Sequence, residues 1–157
     1  MGHDLRIGEA SIDYNEEYVQ IDCKIVRRDD APAYGEPACC ESQRRISYTA
    51  WYESMKSLGL LHIMFDSENG GSDETEINGN TRYPLMSEYS RAAPITIEHV
   101  EEVERRLAAY KTKHPDHVAQ YAPLDPRYDP VLCRGEWLAY WLRWAVENCE
   151  RPVFVHS

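Results

Sequence analysis

The chain lacks any apolar run near the ~18–20 residues of a membrane span. Its longest, Leu58 to Phe65, is broken by Gly59 and His62. Met1-Gly2-His3-Asp4 has neither the basic start nor the apolar core of a secretory signal. No cysteine pair stands at two-residue spacing. Cys39 and Cys40 adjoin, while Cys23, Cys133 and Cys149 lie far apart. An odd, scattered set of five argues against a disulfide framework and against a zinc ribbon or finger. Reduced thiols and a cytoplasmic setting are therefore expected. Basic surplus is missing too: 17 Lys and Arg face 27 Asp and Glu, a formal net charge of −10. Direct nucleic-acid binding, which draws on excess Lys and Arg, is not expected. Nor is binding to a membrane.

What remains is an ordinary globular composition, 43% hydrophobic and 28% charged over 157 residues, suited to one domain. Residues 5–28 alternate with period two: Leu5, Ile7, Ile12 and Tyr14, then Val19, Ile21, Cys23 and Ile25. That pattern predicts a hairpin turning near Asn15. Residues 29–46, with Pro32, Gly35 and Pro37, read as a loop. Tyr48, Trp51, Tyr52, Met55 and Leu58 recur at helical spacing, with Ser47 or Thr49 as cap and Gly59 as terminator. The run Leu60 to Phe65 stays open between strand and helix.

From Asp66 to Pro94 the chain reads as loop, with a short hairpin around Asn78-Gly79. Thr96 then caps a helix whose stripe is Ile97, Val100, Val103, Leu107 and Tyr110, ended by Pro115. Four prolines in 114–135 predict an extended surface segment. A last helix over about 135–149 carries Trp137, Trp141 and Trp144, read as a core seam, and a tail strand at Pro152–Val155 is expected at a sheet edge. The whole is a single α+β domain over 1–157: a small antiparallel sheet, about three helices and long loops.

Motifs with fixed chemistry are absent. There is no Gly-x-Ser-x-Gly elbow, no Gly-x-Gly-x-x-Gly and no Walker loop. His114-Pro115-Asp116-His117 has metal-capable side chains, but the proline places them in a helix exit, where they read as a polar terminus. His62 and Asp66, four apart, suit an oriented base if helical. Gly71 matches the sixth position of a calcium loop starting at Asp66, yet Ile77 stands where the twelfth needs Glu. No metal and no cofactor is assigned.

The basic residues are the more informative set. Thirteen are arginine and four lysine. Arginine's planar fork takes phosphate or carboxylate through paired hydrogen bonds and stacks on aromatic rings. Arg82 beside Tyr83, Arg91, Arg127 beside Tyr128, and Arg134 fall in segments read as loops. Convergence of Arg82 and Arg91 with Arg127 or Arg134 into one anion pocket, lined by Tyr83 and Tyr128, is the leading expectation. Pairing of loop arginines with surface carboxylates is the plainer one.

The blocks Ser47-Tyr48-Thr49-Ala50-Trp51 to Leu58-Gly59-Leu60 and Gly135-Glu136-Trp137-Leu138 to Glu150-Arg151-Pro152-Val153-Phe154 resemble small accessory proteins of tailed bacteriophages. The resemblance implies a setting in which host components are inhibited or sequestered. Three functions follow. The first is a noncatalytic protein holding an anionic or phosphorylated small molecule, with nucleotide signals in that class. The second is an acidic inhibitor seated on the basic, nucleic-acid-binding site of a host protein. The third is a metal- or histidine-dependent hydrolase. A homo-oligomer is compatible with each.

Overall fold

The computed structural model describes residues 2–14, 19–33, 40–88, 90–122 and 124–157. In chain order the elements are β1 (Gly2–Tyr14), β2 (Val19–Cys23), β3 (Gln43–Ser47), α1 (Tyr48–Leu58), α2 (Leu61–Met64), β4 (Thr75–Ile77), β5 (Asn80–Arg82), β6 (Ala92–Pro94), α3 (Ile97–Lys113), α4 (Pro130–Asn148) and β7 (Pro152–His156). The fold is one α+β domain, and every strand ladder is antiparallel. No described helix is long and apolar enough to cross a membrane.

The long strand β1 organises the sheet. Its first residues pair with β3, its middle with β7, and its end with β2. The expected hairpin is present as β1–β2, although its turn lies outside the described residues. Leu5 and Ile7 of β1 and Phe154 of β7 face the helices and are fully buried. They meet Trp51 and Met55 of α1, Val100 and Val103 of α3, and Trp137 and Trp141 of α4. Trp137 and Trp141 of the expected seam are core, while Trp144 is only partly buried against it. Gly135 marks the tightest helix approach, since a Cβ there would stand 2.9 Å from Leu107 and 3.1 Å from Leu58.

On the opposite sheet face Cys23, Val153 and Val155 form a second, smaller cluster. Gly8 allows it. A Cβ at Gly8 would lie 2.9 Å from the Lys24 carbonyl oxygen, so the end of β2 passes directly over it.

Several boundaries differ from the sequence reading. Residues 43–47 of the expected loop form β3, and 92–94 form β6. The tail strand β7 is interior, between β1 and β6, not an edge. Leu61–Met64 is helical. The last helix starts at Pro130, because a proline at the first helical position forfeits no hydrogen bond and has a ready-made φ. Arg134 is therefore a helix residue. The hairpin around Asn78-Gly79 is as expected, with both residues at positive φ (53° and 80°).

At the start of α3, His99 occupies the place that a capping box usually gives to Glu or Gln. Its Nδ1 accepts from the Thr96 N–H (3.1 Å), so Nε2 carries the proton and donates to the Tyr83 carbonyl (2.9 Å). Burial pushes this imidazole below its ordinary value, against the Tyr83 carbonyl, which favours the cation. A proton on Nδ1 would remove the acceptor that Thr96 uses. The unfolded chain protonates first as pH falls through about 6.5, so stability present above that value is lost below it. His99→Gln keeps an acceptor for Thr96 without titrating. Thermal midpoints from pH 7.5 to 5.0 should fall more steeply for the native protein than for this variant; parallel curves would remove His99 as the source.

Candidate functional site

The six residues expected to converge are dispersed. Arg82 grips Glu98, at the start of α3, through Nε–Oε2 (2.9 Å) and Nη2–Oε1 (2.5 Å). That pairing holds the Glu98 carboxyl down to about 2. Tyr83 is exposed and lines a different groove of about 420 Å³, beside Asp66, Glu68 and Asp73. Arg127 folds back on Asp125 in a bidentate pair (3.0 and 2.8 Å). Tyr128 sets its ring edge-on to Tyr121, 5.3 Å between centroids. Arg134, half-buried on α4, donates to Ser54 Oγ (2.8 Å) and the Ala50 carbonyl (3.4 Å). Burial and then the nearby Arg44 lower its affinity for its proton. The Arg82 end and the Tyr128 end meet opposite ends of α3, and a rise of ~1.5 Å per residue separates Glu98 from Tyr110 by roughly 18 Å. One pocket cannot hold both.

Carboxylates hold two of the six, Arg82 and Arg127. Arg6, Arg28, Arg45, Arg82, Arg105, Arg106, Arg127 and Arg143 each have an intrachain ion pair. The plainer expectation describes most of the arginine inventory.

Arg91 differs. It has no carboxylate partner among the described residues, and it stands just before β6 on the rim of a cleft of about 530 Å³. Val19 to Asp22 of β2 form one wall, Ser90 to Ala92 the other. Arg6, Val155 and Ala92 are register partners across β1, β7 and β6, so they stand on the same sheet face. Arg6 donates Nη2 to Asp22 Oδ1 (3.2 Å), while its buried Nε has no hydrogen-bond partner among the described residues. Asp22 Oδ1 also accepts the Cys23 N–H (2.7 Å), which leaves Oδ2 available. His156, at the same cleft, bonds the Ser90 carbonyl through Nε2 (3.0 Å). Burial pushes its imidazole below the ordinary value, and Arg91 adds to that. Arg6, Arg91 and Asp22 thus line one cleft together with Val19, Ile21 and Val155, and Arg6 holds the carboxylate.

The sequence pointed to Arg91 but missed Arg6, Asp22 and His156. Arg6 and Asp22 sit at polar positions of alternating strands, where charge is the default, and no local signal distinguishes them.

Other clusters resolve into structural roles. His114 ends α3, stacks on His117 and meets the Tyr110 ring at a tilt. His117 does not serve the helix carbonyls. Its Nδ1 meets Asp129 Oδ2 at 2.6 Å, which Tyr110 Oη also reaches at 2.5 Å. Burial opposes ionisation of Asp129, but bonds from Tyr110, His117 and the Leu132 and Val131 N–H groups outweigh it and hold the carboxyl below its usual range. His62 faces Glu102 (3.8 Å), not Asp66, and Glu102 is shared with Arg105 and Arg106. Asp66 accepts from Asn69 and from the Glu88 N–H. The His62–Asp66 pairing that a helix would have allowed is not formed, and His62 is half-buried against Glu102.

No protein-family model, curated protein or solved structure matches this chain. The site therefore stands on its geometry alone.

Proposed function

We propose that this protein is a noncatalytic binder of an anionic, phosphorylated small molecule, held in the cleft between the β1–β2 hairpin and β6–β7. The observation that carries the reading is the presence of both Arg6 and Arg91 in the lining of one cleft of about 530 Å³, a size within the usual range for small-ligand pockets. Guanidinium groups left without a full set of acceptors in a concave site gain most from a multidentate anion. The protein's net charge of −10 opposes an incoming anion, but that field is screened beyond ~8 Å at physiological salt, whereas the two arginines act at contact. In the setting that the phage resemblance implies, such binding withdraws a phosphorylated metabolite or signal from the host.

Calorimetry with inorganic pyrophosphate and a nucleoside monophosphate tests it. Arg6→Ala and Arg91→Ala should each weaken binding by roughly 1.5–3 kcal/mol, the range for hydrogen bonds to charged groups. Arg127→Ala, whose guanidinium is committed to Asp125, should change nothing. Absent binding, or equal affinity in all three variants, overturns the cleft as an anion site.

A second reading has its own observation. With eight arginines neutralised within the chain, the acidic surplus faces solvent, which suits an inhibitor seated on a basic surface of a host protein. Failure of every anion in calorimetry puts that reading first.

A further inference from the structure

We infer that the cleft is built for a phosphorylated sugar, with a ribose hydroxyl received by Asp22; this rests on the anion-site reading above. A site for a bare anion gains nothing from a carboxylate beside its arginines, because like charge repels the ligand. Asp22 nevertheless lines the cleft next to Arg6. Its Oδ1 is committed to Arg6 Nη2 and the Cys23 N–H, and Oδ2 has no partner among the described residues. An ionised carboxylate is an acceptor only, so the group it takes must be a donor. The ligand therefore carries a donor close to its anionic end. A phosphorylated ribose meets both demands: its phosphate faces Arg6 and Arg91, and a ring hydroxyl donates to Asp22 Oδ2. Gln20, on the same wall, supplies both a donor and an acceptor for a second hydroxyl. The exposed Val19 and Ile21 offer an apolar surface to whatever the sugar bears.

Binding of inorganic phosphate, ribose 5-phosphate, 2-deoxyribose 5-phosphate and adenosine monophosphate to the full chain separates the possibilities. Ribose 5-phosphate should bind about tenfold or more tightly than inorganic phosphate, the equivalent of one charge-assisted hydrogen bond. In Asp22→Asn that preference should shrink to about twofold, while inorganic phosphate binds at least as well, since a repelling charge is gone. Further tightening by adenosine monophosphate identifies a nucleotide as the source of the sugar phosphate; equal affinity identifies the free sugar phosphate. Loss of the preference in the deoxy sugar assigns the contact to the 2-hydroxyl. Phosphate binding without a sugar preference in the native protein overturns this inference and leaves the anion site standing. A preference that survives in a folded Asp22→Asn overturns it in the same way. No phosphate binding of any kind overturns both.

Discussion

Replacing Asp129 with alanine should lower unfolding free energy by about 3–4 kcal/mol, read by urea denaturation at pH 7. The carboxylate does two jobs at once. Oδ1 accepts from the Val131 and Leu132 N–H groups, capping α4, and removal of a capping side chain costs roughly 0.5–2 kcal/mol. Oδ2 receives Tyr110 from α3 and His117 from the following loop. Those bonds latch the end of α3 to the start of α4, and each is worth about 1 kcal/mol or more beside a charge. Asp129→Asn keeps its single acceptor oxygen for the cap and turns an NH2 donor toward Tyr110 and His117, so its loss should be about half as large. A loss below about 1 kcal/mol for alanine would show that the latch is replaced by solvent.

The second large effect is expected at Gly71. A Cβ there would stand 1.9 Å from the Phe65 carbonyl oxygen and 2.3 Å from that of Leu61. Both are backbone atoms, one of the first residue of α2 and one of the residue that follows it, and neither yields by rotating a side chain. The glycine itself is tied in, its N–H donating to the Asp66 carbonyl (2.9 Å), and the next N–H donates to that of Phe65 (2.9 Å). Gly71→Ala should therefore cost about 3 kcal/mol or more, at or above the usual range for overpacking. Gly79→Ala is the contrast. It stands at φ 80° with open space around it, so its cost is backbone strain alone, about 1 kcal/mol. Denaturant midpoints that fall equally in the two variants would show that the turn after α2 shifts to admit a methyl group. Gly71 matches a calcium-loop position in sequence; its structural reason is contact with two carbonyls.

Local pattern carried most of the architecture. The alternation of Leu5, Ile7 and Val19 to Ile25 placed the hairpin, and the stripes of Trp51–Met55–Leu58 and Val100–Val103–Leu107 placed two helices. These residues act through periodicity, which exists before any long-range contact. Pro130 was misread because a proline that ends one element and one that begins another differ only in the residues around them. Asp129 supplied the missing cap.

Segments of three to five residues carried too little pattern to read. β3 and β6 are strands because β1 and β7 offer them partners, and β7 is interior because β6 covers its other edge. The site was least legible of all. Arg82, Arg127 and Arg91 look alike in sequence: charged residues in irregular chain, two of them beside a tyrosine. Glu98 lies sixteen residues from Arg82 and Asp125 lies two from Arg127, yet each closes on its arginine. Arg91 is left at an open cleft because β1, β2, β6 and β7 converge there from both ends of the chain. The sequence by itself determined composition, charge, periodic elements and the single α+β class, since each depends on residue identity and near neighbours. Which arginines were neutralised by carboxylates and which was left at the cleft was decided only by tertiary structure, because an ion pair forms between groups brought within about 4 Å, whatever their separation along the chain.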